Sequence, residues 1–172
     1  TNRSKFIREQ IDKYSWVGLG GHYLMNEISA AFLYIQMQKV AEITQNRLDS
    51  WNIYYNELLP LEKTNNITLQ KIPKYNQHNA HMFYCKTDNI KERDSLITRL
   101  KAQGINAVFH YVPLHNSSCG KKYGNFFGVD KYSTAEFEKL VRIPLFFSLG
   151  QENVEHIIDQ IKNTVSLKNE IN

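Results

Sequence analysis

Residues 18–59 read GLGGHYLMNEISAAFLYIQMQKVAEITQNRLDSWNIYYNELL, and the spacing of their apolar side chains decides the fold. Two stripes run through the segment in steps of three and four. Met25, Ile28, Phe32 and Ile35 make one; Leu33, Met37, Val40, Thr44, Leu48, Trp51, Tyr55 and Leu58 make the other. Such steps predict one amphipathic helix from Asn26 onward rather than a strand. Asn26 is placed to cap it, Glu27 favours the positive end of the helix dipole, and Pro60 is expected to stop it. A continuous helix of that length would run about 50 Å, whereas a compact body of this chain length is roughly 40 Å across. The helix therefore either bends or bridges two bodies. Bridging fits better, because the front half is apolar on both stripes and the rear half largely on one, although a long core helix has the same period. Gly18, Gly20 and Gly21 lack the preceding strand and the third glycine in register of a dinucleotide loop, and read as a tight turn or close approach.

At 172 residues the chain is long enough for one domain with a real core, or for a small domain with an attached piece of another. Net charge is +4, but basic and acidic residues are mixed along the chain, so no basic stripe of the kind that neutralises a phosphate backbone emerges. Nucleic-acid binding is not expected. Cys85 and Cys119 form no CxxC pair, one in a predicted strand and the other in a loop, which argues for a reducing compartment. No secretory or membrane-spanning run is present in the sequence, so a cytoplasmic protein is expected. The opening on Thr1, charged and without a cap, looks like a cut inside a longer chain.

Outward from the long helix, residues 1–17 are polar and aperiodic, and read as irregular structure needing a neighbour. Residues 61–78 form a polar connector with weak strand character at Ile67 to Leu69 and a turn at Pro73. Asn79 to Thr87 reads as a central strand. Asn89 to Gln103 is a helix with an Asn cap, Glu92 at the capping-box position, a stripe of Leu96, Ile97 and Leu100, and Gly104 as its stop. Ile105 to Val112 is a second strand ended by Pro113. An aromatic, glycine-containing loop follows from Asn116 to Tyr132, then a short helix capped by Ser133 or Thr134 and running to Val141. Arg142 to Phe146 is a short strand, and Gln151 to about Leu167 a closing helix with Val154, Ile157, Ile158 and Ile161 inward. The order describes an α+β fold, a small sheet with packed helices attached to the rear of a long helix.

Among residues that carry chemistry, His110, His115 and Cys119 suggest a metal set at first sight. Their spacing crosses Pro113 and a glycine loop, and no carboxylate or second cysteine joins them, so no metal is expected. His78 and His81 would lie on opposite faces of a strand, and His156 on the exposed side of the last helix. The strand exit at His110, Tyr111, Pro113, Leu114 and His115 differs, because polar rings before and after a proline-fixed turn point into whatever lies beyond the sheet edge. Ligand contact and simple satisfaction of rim backbone groups both fit that pattern. No Ser/His/Asp arrangement, paired-carboxylate motif or Walker loop is present.

Two sets of residues together carry a family resemblance. GLGGHYLMNEISAAFLYIQMQKV resembles the G-x-N-Y-R-M-(S/T)-(D/E)-x-x-A-A segment of the DegT/DnrJ/EryC1/StrS family, pyridoxal-phosphate aminotransferases that act on nucleotide-linked keto sugars. NAHMFYCK, AVFHYVPLH and RIPLFFSL are similar to the family's small-domain strands and its HY-x-P-L-H turn. Within the family, TNRSKFIREQIDKYSW and the Leu of HYLM are most similar to members that aminate a dTDP-4-keto-6-deoxyhexose for surface polysaccharide, with glutamate as amino donor. The resemblance implies fold type I, aspartate aminotransferase-like, and a homodimer. It assigns residues 1–25 to the end of a large cofactor domain, 26–60 to a bridging helix and 61–172 to a small C-terminal domain. It also implies that the Schiff-base lysine lies upstream of Thr1, so that this portion holds no catalytic residue and is inactive alone. His22 falls where the family has the Asn that reaches the cofactor phosphate, Leu24 where it has Arg, and Tyr23 keeps the pattern; His22 and Tyr23 are thus the implied pyridoxal-phosphate contacts. His110, Tyr111 and His115, with Tyr14 and Trp16, are the implied sugar-nucleotide contacts. A different class of reading is a free-standing, non-catalytic α+β binding or dimerisation module.

Overall fold

In a computed structural model of the chain, the described residues are 6–7, 10–11, 24–64 and 67–166. They fall into two units, Thr1–Val40 and Ala41–Asn172. In the first unit β1 (Phe6–Ile7) pairs antiparallel with β2 (Gln10–Ile11), so part of a segment expected to be irregular forms a short ladder. Helix α1 (Glu27–Gln38) follows. The Asn26 side chain accepts a hydrogen bond from the Ser29 N–H at 2.8 Å, satisfying one of the donors that every helix start leaves open. None of the α1 side chains is buried, and Ile28 is 85% exposed.

The single helix expected over 26–59 is two. Lys39 leaves the helical conformation (φ −104°, ψ 10°) and its N–H bonds back three residues to the Gln36 carbonyl at 3.0 Å, a tightening of the last turn that ends α1. Helix α2 (Val40–Lys63) begins at the next residue. Pro60 does not stop it. Proline there deletes one backbone donor, while Leu58 is fully buried and Leu61 packs on the core, which keeps the final turn in place. Trp51, Tyr54 and Leu58 form the inward stripe of α2. The Tyr54 hydroxyl donates to the Pro144 carbonyl at 3.0 Å, and its ring lies 5.1 Å from that of Phe83.

The second unit is built on an antiparallel sheet of β3 (Thr68–Leu69), β4 (Phe83–Lys86), β5 (Val108–Phe109) and β6 (Leu140–Ile143), in the order β3-β4-β6-β5. Phe83, Cys85, Val141 and Ile143 alternate inward, and Tyr84, Lys86, Leu140 and Arg142 face the other, half-open side. Period-two side-chain direction produces this division. Every strand is shorter than its apolar run. Ile105 and Ala107 are buried but their N–H groups bond to Leu100 and Ile105, leaving two residues to pair with β6. Pro144 has no donor to extend β6, and Ala80 (φ +49°) breaks the extended conformation ahead of β4.

Helix α3 (Ile90–Ala102) matches expectation closely. Asn89 accepts from the Lys91 and Glu92 N–H groups at 3.0 and 3.1 Å, and Gly104 adopts φ +75°, the left-handed turn glycine tolerates best. Arg93 of α3 is buried between the rings of Phe109 and Phe137, 5.1 and 5.0 Å from their centroids. Helix α6 (Gln151–Ser166) buries Val154, Ile157, Ile158, Ile161 and Val165. These side chains, with Leu96 and Leu100, close one core against the inward face of the sheet. The result is an α+β fold.

Candidate functional site at the strand exit

The chain leaves β5 at His110 and passes Pro113 into a 3-10 turn, Leu114–Asn116. Helix α4 (Ser118–Tyr123) follows, then an extended stretch and α5 (Ser133–Phe137). Cys119, expected in a loop, is on α4 and exposed. The short helix before β6 is shorter than expected, and neither Ser133 nor Thr134 caps it. Tyr132 occupies the cap position without a side-chain bond, and the Asp130 carboxylate instead accepts from the Thr134 N–H and hydroxyl.

Asp130 also holds His115. The imidazole Nε2 lies 2.7 Å from Oδ2 of Asp130, with both side chains largely covered, and the ring sits 4.3 Å from that of Phe126. The Thr134 hydroxyl bond is the largest influence on Asp130; together with the His115 contact it holds the carboxyl below its ordinary range against the opposing effect of desolvation. An ionised carboxylate accepts Nε2–H, so in the neutral ring Nδ1 is left as an acceptor. His115 thus lies fixed in orientation at a cavity of about 430 Å³ whose wall includes Leu114, Cys119, Tyr123 and Phe126.

His110 and Tyr111 belong to a second cluster. Their rings meet edge to face at 5.3 Å, and the Arg142 guanidinium carbon lies 5.8 Å from the Tyr111 centroid. Tyr84, Arg142 and Val108 share one register row on the half-open face of the sheet. The Nδ1 of His110 and the Nε of Arg142 are buried with no partner. Tyr14, Trp16, His22 and Tyr23 lie outside the described residues. Asp130 and Arg142 were not read as site residues from sequence, although each leaves a trace: Asp130 stands four before Thr134 at a helix start, and Arg142 interrupts LVRI on the face opposite the apolar residues.

The solved aminotransferase DesV from S. venezuelae, in complex with a ketimine intermediate, superimposes with a TM-score of 0.78 at 23% identity over 91% of this chain and 41% of that one. TlmJ from Streptoalloteichus hindustanus gives 0.74 at 21% identity, over 84% and 37%. The fold is therefore one found in aminotransferases. The sequence model of the DegT/DnrJ/EryC1/StrS aminotransferase family matches residues 3–162, and the chain belongs to that family. A curated relative is the UDP-4-amino-4-deoxy-L-arabinose–oxoglutarate aminotransferase of Shewanella sediminis, 28% identical over 87% of this chain and 40% of its own length. The chain thus spans about two fifths of the relatives it matches. Aminotransferases of the family depend on pyridoxal phosphate.

The described residues do not assemble a site for that cofactor. The larger cavity has no lysine or arginine in its wall to meet a phosphate and no acid facing in to pair a pyridine nitrogen, and its imidazole is already bonded to Asp130. Among the described residues no group of three His, Cys, Asp or Glu side chains converges as a metal site, and no helix is long and apolar enough to cross a membrane.

Proposed function

We propose that this chain is the C-terminal portion of a pyridoxal-phosphate-dependent transaminase. The reaction moves an amino group from glutamate to the keto carbon of a dTDP-4-keto-6-deoxyhexose, giving dTDP-4-amino-4,6-dideoxygalactose for surface polysaccharide. The observation that carries the reading is the family match across residues 3–162. On this reading residues 1–25 end the large domain, 26–60 bridge, and 61–172 are the small domain of a cytoplasmic fold type I homodimer. The apolar, uncovered side chains of α1 support a covering body or subunit.

The strand exit supplies contacts rather than chemistry. Tyr111 and Leu114 offer exposed apolar surface to a sugar nucleotide, and His115, held by Asp130, offers a fixed acceptor. His22 and Tyr23 are the cofactor contacts, Tyr14 and Trp16 the remaining substrate contacts, and the 172-residue chain alone is inactive.

The test is to incubate the full-length product of the reading frame containing this sequence with pyridoxal phosphate, glutamate and a panel of nucleotide-linked keto sugars, and to follow the amino sugar by mass spectrometry. Conversion of the dTDP-4-keto-6-deoxyhexose in preference to UDP-linked sugars is expected, and turnover of only UDP-linked sugars would exclude the specificity. His115→Ala should raise KM for the sugar about tenfold with a smaller change in kcat, consistent with loss of one polar contact.

A further inference from the structure

Arg142 is the one arginine of β6, and its surroundings do not explain a buried charge. Among the described residues no carboxylate lies within ion-pair distance of it, unlike Arg93, which pairs with Asp94. Its Nε is enclosed without an acceptor, and a buried guanidinium N–H left unpaired is a costly arrangement that calls for a partner. Arg142 also lines a second cavity, of about 290 Å³, at the ends of β4, β5 and β6. His81 and Asn106 add an imidazole and a carboxamide to that wall, Met82, Val108 and Pro144 add apolar surface, and no Asp or Glu contributes. Arg47 donates to the His81 and Ala80 carbonyls nearby, so the surrounding charge is positive.

We propose that Arg142 anchors an oxyanion, the carboxylate or phosphate of a small ligand, in this cavity. The covalent shape of a guanidinium sets Nε–H and one Nη–H side by side, a fork that fits two oxygens of one anion. An apolar wall beside one fork and no competing acid fits a small molecule with a short carbon body better than a bare ion. Nε is closed over in the absence of ligand, and Tyr111, 78% exposed with the guanidinium lying over its ring, is the side chain placed to give way. The orphaned His110 Nδ1, beside Tyr111, offers a second polar contact as it does so. The site is independent of the transamination proposed above, since it needs neither cofactor nor keto sugar.

The experiment follows the Arg142 Nε–Hε cross-peak of the full 15N-labelled chain by NMR. One arm adds glutamate and 2-oxoglutarate, the other inorganic phosphate and pyrophosphate, each against chloride at equal ionic strength. A saturable shift in either arm is expected, and the arm that responds identifies the anion. Binding, followed at neighbouring backbone amides, should weaken about tenfold or more in Arg142→Gln and in Arg142→Lys. Arg142→Lys keeps the charge, so it provides the reading if Arg142→Gln does not fold. Absence of a saturable shift in both arms, or unchanged affinity in a folded variant, overturns the site. Transaminase activity in the full-length protein with no such binding would remove the anchor and leave the proposed reaction standing; binding without activity would do the reverse.

Discussion

Two side chains show how local surroundings decide reactivity. Asp130 accepts from Thr134 and meets His115, and these contacts favour its ionised form in the folded state. Because its folded pKa lies below the ordinary value of 3.8, its contribution to stability is full above that value and is lost as pH falls through the folded one. Thermal unfolding of the wild type should therefore weaken in that acid window, and Asp130→Asn should melt lower at neutral pH with a shallower loss on acidification, read by circular dichroism. An identical acid limb in the variant would remove Asp130 from the account. Burial pushes the Cys85 thiol up to about 12, against a smaller opposing backbone hydrogen bond, whereas Cys119 is exposed. Since the thiolate is the nucleophile, a thiol reagent should titrate Cys119 alone in the native chain and both cysteines in denaturant. Cys119→Ser should leave no native reactivity.

At the scale of elements, legibility follows the range of the interactions that fix each one. The start of α3 was plain in the sequence because Asn89 acts within three residues of itself, and its removal has a predictable cost. Asn89→Ala should destabilise the fold by about 1 kcal/mol, measurable as a lower urea midpoint at unchanged slope; no change would mean that Glu92 alone orders the turn. The caps at Asn26 and Gly104 were visible for the same reason. The break at Lys39 was not visible, since no glycine or proline marks it. Nor was the survival of α2 past Pro60, which depends on Leu58 and Leu61 meeting a core assembled from distant segments. Strand ends were overestimated because apolar runs report burial, while pairing depends on the partner: Ile105 and Ala107 are buried yet bond locally. The site divides similarly. The HY-x-P-L-H turn stands out in sequence, but its histidines go to separate clusters, because Asp130 and Arg142, which organise them, come from segments 15 residues beyond His115 and from β6.

For the molecule as a whole, the sheet, α3 and α6 close a core around Phe83, Val141 and Ile161, while α1 buries nothing. Phe83→Ala should therefore cost the second unit about 3–5 kcal/mol, seen as a large drop in its urea midpoint, whereas Ile28→Ala should hardly move that midpoint. The family match establishes the kind of enzyme, and the chain covers about two fifths of its relatives' length. The chemistry is thus assigned to the full-length protein and the recognition surface to this portion. The most direct measurement supplies 15N-labelled glutamate, pyridoxal phosphate and the dTDP-4-keto-6-deoxyhexose to the full-length product and traces the label. The account predicts 15N in the amino group of the dTDP-sugar, dependent on the cofactor. Label that never reaches any nucleotide sugar, or that reaches one without the cofactor, would contradict it.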